Sequence, residues 1–161
     1  LAGFVSDSVM QVLARRSDFD LAMQKEITDI VTRRFEYKSH HAPGETAESK
    51  LDRYLQSGKL TPEVIHDALV WQDHKFVALS LAHLSRIHPV IVQKMLTSGS
   101  AKPVIAVCYM ARLPMRFAVE MQKTYAKLPP KSIIYAKGGT DYPMSPQEIK
   151  WQLEFFGAVS K

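Results

Sequence analysis

The sequence predicts an all-α protein of about eight or nine helices stacked as antiparallel hairpins, and three observations carry that expectation. Apolar residues recur at i, i+3, i+4 and i+7 through most of the chain, the spacing of one helix face. Helix N-termini are marked by readable caps. The links between residues 62 and 127 are short, which forces successive helices to pack as antiparallel neighbours.

Taken in order, the pattern places helices at 6–15, 20–36, 46–57, 62–71, 74–86, 89–97, 101–112, 115–127 and 146–157. The first two form an N-terminal hairpin, 6–36. In its second helix Leu21, Ile27, Ile30 and Val31 face inward, and Lys25, Asp29 and Arg33 face water. A loop, 37–45, carries His40-His41 and Pro43-Gly44. The segment 46–127 is the helical core. Within it Thr61-Pro62-Glu63 supplies an N-cap, a proline whose missing N–H is harmless at the first helical position, and an acid near the positive helix end. From Phe76 to Leu84 and from Val104 to Ala111 apolar residues occupy nearly the whole circumference, as expected of central helices. A second loop, 128–145, contains Pro129-Pro130, Gly138-Gly139 and Pro143. Ser145-Pro146-Gln147-Glu148 then has the spacing of a capping box, and Ile149, Leu153 and Phe156 follow it at helical spacing over 146–157.

The 161 residues fit one domain, 1–161, with 46% hydrophobic and 23% charged residues in the ordinary globular range. No apolar run approaches the roughly 18 residues of a membrane span, so no membrane partner is expected. The lone Cys108 lies in an apolar helix, reads as a small buried hydrophobe, and suits a reducing, cytoplasmic setting. The chain starts without Met, which is read as a trimmed or processed end with a neighbouring region beyond it. The net charge of +5 permits attraction to nucleic acid without demanding it, because Lys and Arg read as scattered, with acids interleaved through the first two thirds.

Three helix ends echo one another: Leu13-Ala14-Arg15, Leu84-Ser85-Arg86 and Met110-Ala111-Arg112, each followed by a short turn and another amphipathic helix. Recurrent joints of this kind suggest an α-solenoid-like stack, in which no hairpin buries its face alone. With Val5-Ser-Asp-Ser-Val9, Leu13-Ala-Arg-Arg-Ser-Asp-Phe19, Asp73-His-Lys-Phe-Val-Ala-Leu-Ser-Leu-Ala82, Met110-Ala-Arg-Leu-Pro114 and Phe117, the chain resembles a domain-of-unknown-function family of alphaproteobacteria with HEAT-like helical repeats. The resemblance spans most of the chain through packing and turn motifs. It implies an architecture and supplies no reaction.

Histidines and aspartates are dense between Val64 and Pro89, so a metal site has to be weighed. His66-Asp67 is the one adjacent pair of the kind that metal-dependent phosphohydrolases use, and these two residues are the metal candidates. Ligands on one helix converge at i, i+3 or i, i+4, and of the pairs that include a histidine only His66 with Glu63 has that spacing here. A wheel at about 100° per residue puts Val64, Ile65, Ala68, Leu69 and Trp71 on one side and His66 and Asp67 on the outer one. His83 reads as a core or interface residue, and His74 and His88 stand at helix starts. Phosphate-loop and nucleophile-elbow patterns are absent, so no catalytic residue and no cofactor is predicted. The expected function is a protein-interaction or scaffold module with an unknown protein partner. Its candidate surface is His66, Asp67, Arg15, Arg16, Arg33 and Arg34. The nucleic-acid alternative is a helix-turn-helix over 6–36 in which those arginines meet phosphates, although its second helix begins with apolar Leu21-Ala-Met23.

Overall fold

A computed structural model describes residues 21–39 and 44–158. The chain divides into two compact units, Leu1–Glu45 and Thr46–Lys161. The boundary falls at the end of the predicted 37–45 loop. In the first unit the described element is α1 (Leu21–Ser39). It continues past the expected end at residue 36, and its Leu21 is exposed, whereas Ile27, Ile30 and Val31 are partly covered. The predicted helix 6–15 and the His40-His41 pair lie outside the described residues.

The second unit holds α2 (Ala47–Gln56), α3 (Pro62–Val70), α4 (His74–Ser85), α5 (Pro89–Leu96), α6 (Ala101–Met110), α7 (Met115–Glu120) and α8 (Pro146–Phe156). Among the described residues there is no strand, and one isolated bridge pairs Lys137 with Asp141. The two helices read as apolar all round are the central ones: α4 packs on α2, α3, α5 and α6, and α6 also meets α5, α7 and α8. Phe76, Val77 and Leu81 of α4 and Val104 to Cys108 of α6 are sealed from solvent.

Local chemistry sets the helix starts. Thr61 accepts the Val64 amide, Asp73 the Phe76 amide and His88 Nδ1 the Val90 amide, each freeing the helix of an unpaired donor. At α8 both halves of the capping box form: Ser145 Oγ accepts the Glu148 amide at 3.2 Å, and Glu148 Oε2 accepts the Ser145 amide at 2.8 Å. Helices α3, α4 and α6 end alike. Gln72, Arg86 and Arg112 take left-handed φ of 58°, 58° and 57°. The next amide in each case reaches back five residues to a helix carbonyl, as Ile87 does to Ala82 and Leu113 to Cys108. The echo seen at Arg86 and Arg112 therefore reflects one turn geometry used twice, and its third member at Arg15 is outside the described residues.

The predicted helix 115–127 is not one α-helix. After α7 it widens into a π turn, Met121–Tyr125, closed by the Ala126 amide on the Met121 carbonyl. The cause is Gln122, which is buried. Its Nε2 donates to the Ala118 carbonyl at 3.2 Å, the acceptor its own backbone amide would take in an α-helix, and to the Ile134 carbonyl at 3.0 Å. The Ile134 amide returns a bond to Gln122 Oε1 at 2.8 Å. Residues 129–136, with a 3-10 turn at Pro130–Ser132, are thereby strapped back across the π turn.

Among the described residues no single helix is long and apolar enough to cross a membrane. The apolar helices α4 and α5 would suffice together, but they bend by 117° at Arg86.

Candidate functional site

The residues nominated from sequence are divided between the two units. Arg15 and Arg16 are outside the described residues. Arg33 and Arg34 are half-buried on α1 in the first unit, and His66 and Asp67 are on α3 in the second. All four are engaged within the chain. The outward placement of Asp67 needs correction, since its exposure is 0%, while Trp71, placed inward by the wheel, is exposed. A wheel assumes one covered face, but α3 is covered on two sides, by α4 and by the π turn. His66 stays partly accessible, with its ring 6.4 Å from that of Phe117.

No group of three or more His, Cys, Asp or Glu converges among the described residues. His83, expected in the core or an interface, is exposed on α4. His74 lies with its ring 4.7 Å from Tyr125, whose hydroxyl donates to Gln93 Oε1 at 2.9 Å. Burial pushes the Tyr125 phenol above its ordinary range, which keeps it a neutral donor. Cys108 is fully enclosed, and burial raises its thiol far above the range in which a thiolate forms. The Lys50–Asp73 ion pair, at 2.5 Å with the lysine side chain almost fully covered, ties α2 to the start of α4. These groups hold helices together.

Two surface features stand apart from that structural set. The first is on α8. Ile149 and Leu153 bury one side against α6, and on another side Trp151 and Phe155, one turn apart, are 58% and 69% exposed. Their rings stack at 5.5 Å with 25° between planes, and Phe156 meets Phe155 edge-on at 5.2 Å. Lys150 and Glu154 form an ion pair beside them at 3.6 Å. The sequence pattern contains this pair as two apolar letters off the Ile149/Leu153 stripe, a signal that a reading aimed at caps and core passes over.

The second is a basic side of the α7–π segment. Acids are interleaved with bases only as far as Asp73. Between His74 and Thr140 there are ten Lys and Arg residues and one acid, Glu120. All ten are exposed. Arg116, Glu120, Lys123 and Lys127 recur at spacings of four, three and four, and the strap adds Lys131 and Tyr135. Lys123 Nζ lies 5.9 Å from the centre of the Tyr135 ring and pairs with Glu120 at 3.4 Å.

A comparison of the chain with protein-family models, curated proteins and solved structures finds no match in any of the three.

Proposed function

We propose that the chain is a non-catalytic, HEAT-like helical module of a bacterial cytoplasmic protein, and that it binds another protein through the aromatic side of α8. The observation that carries this reading is the stacked pair Trp151–Phe155, exposed on a helix whose opposite side is already committed to the core. The two rings offer on the order of 300 Å² of aromatic surface, comparable to the largest apolar patch of an ordinary monomer, which is often a functional one. Aromatic residues of this kind are the usual anchors of protein interfaces, since they bury much area for little lost side-chain freedom. The Lys150–Glu154 pair supplies a polar rim. The recurrent left-handed joints at Arg86 and Arg112 support a repeat-like stack.

The test is affinity capture with the intact chain and with a Trp151→Ala/Phe155→Ala variant, compared by quantitative mass spectrometry. Both side chains are exposed, so the variant keeps its fold, checked by its Tm. Partners captured by the wild type are expected to fall at least about tenfold with the variant, as for loss of interface anchors. Equal yields from both proteins would remove α8 as the interface.

A further inference from the structure

We infer that the basic side of the α7–π segment and its strap form a binding surface for single-stranded nucleic acid, with lysines meeting phosphates and Tyr135 stacking on a base. Four observations converge on it. The charge is concentrated, since one acid stands among ten bases from His74 to Thr140, and that acid is already matched to Lys123. Lys127 and Lys131 make no ion pair among the described residues, and neither does Arg116, so their charge is available to an external anion.

Geometry brings these charges together. Arg116 on α7, Lys123 in the π turn and Lys127 just beyond it are exposed within twelve consecutive residues. Gln122 holds Ile134 by two hydrogen bonds of 3.0 and 2.8 Å, which sets the strap, and with it Lys131 and Tyr135, alongside. The surface is therefore fixed by a buried amide before any ligand arrives, which lowers the ordering cost of binding.

The aromatic group selects the ligand. Tyr135 is 57% exposed, with the Lys123 ammonium over its ring. An exposed ring amid lysines suits a base that is free to leave its stack, as in a single strand, and is of no use to a paired duplex. An anionic membrane would instead call for a strongly apolar insertion, and Ile133 and Ile134 are half-covered in the strap.

The fourth observation is conformational. Of the four non-glycine residues with left-handed φ among the described residues, Arg86, Arg112 and Lys127 are basic. Glycine is the less strained residue at such positions, yet each of these three carries an exposed basic side chain. Arg112 stands at the joint into α7, and Lys127 lies just beyond the π turn and its cap Ala126.

The experiment is fluorescence anisotropy of the full chain with labelled single strands of about 16 nucleotides, as DNA and as RNA of the same sequence, across a salt series. Duplex DNA, heparin and phosphatidylserine-containing vesicles are the comparison arms. Expected is single-strand binding that weakens linearly in log salt, with the DNA and RNA arms showing which sugar is preferred. The triple variant Lys123→Gln/Lys127→Gln/Lys131→Gln should lower the salt slope by about 2 and affinity by at least about tenfold. Tyr135→Ala should lower single-strand affinity about tenfold and leave heparin binding unchanged. All four side chains are exposed, and circular dichroism of each variant checks the fold. Absence of single-strand binding at low salt overturns the inference, as does binding insensitive to both variants. Stronger binding to heparin, duplex or vesicles than to single strands, with Tyr135→Ala neutral, also overturns it. Because Trp151→Ala/Phe155→Ala leaves this surface intact, failure here is distinguishable from failure of the α8 interface.

Discussion

Gln122 and Ser80 are both buried polar residues, yet their energetic roles are opposite. Gln122 satisfies its amide with Ala118 and Ile134, and so converts a desolvation cost into an attachment for the strap. Ser80 sits in the middle of apolar α4, and its hydroxyl finds no hydrogen-bond partner among the described residues. A buried hydroxyl left unpaired costs on the order of 1 kcal/mol or more. Ser80→Ala should therefore raise the unfolding free energy by about 1 kcal/mol, read as a shift in the urea midpoint at unchanged slope. Neither role is visible in the sequence, where the two residues are single polar letters in apolar surroundings. What decides between them is whether a distant backbone comes within reach.

At the scale of the helix, what is local was legible. Thr61 and Ser145 cap as their neighbours require, because a capping hydrogen bond spans three residues and needs no tertiary partner. The α8 box also has a pH signature. Hydrogen bonds from the Ser145 amide and hydroxyl hold the Glu148 carboxyl below its ordinary range. A folded-state value below the unfolded one means a contribution present in full above the unfolded pKa of about 4.3 and lost as pH falls through the folded value. Ser145→Ala is expected to cost about 1 kcal/mol at neutral pH. It should also flatten the acid limb of Tm against pH in part, since Glu148 loses the bond to the hydroxyl but keeps the larger one from the backbone amide of residue 145. The π turn was not legible, because it depends on Gln122 meeting Ile134, twelve residues away in sequence. Asp67 was misplaced for a similar reason: its burial comes from a second neighbour that a single-helix wheel does not contain.

For the molecule as a whole, the apolar pattern identified α4 and α6 as central, and the core they form should behave as one cooperative body in the second unit. Cys108 reports on it. Its thiol is enclosed and held protonated by burial, so a disulfide exchange reagent should label it only as fast as the core opens, with immediate reaction in denaturant. Rapid labelling of the native protein would mean that α6 is less well covered than its packing indicates. The drop in acids after Asp73 was present in the linear sequence, but its meaning needed the strap, which turns a loose excess of charge into a shaped surface. The π turn has one more consequence, in the phase of the chain. Its bonds step over five residues where an α-helix steps over four, so everything downstream leaves one residue late, a rotation of about 100°. Leu128, buried just beyond the turn, is placed by its own amide, which donates to the Gln122 carbonyl at 2.9 Å. The extra residue therefore acts as a frame setter: removing one position from 121–125 would leave every later side chain chemically intact but aimed at the wrong neighbour.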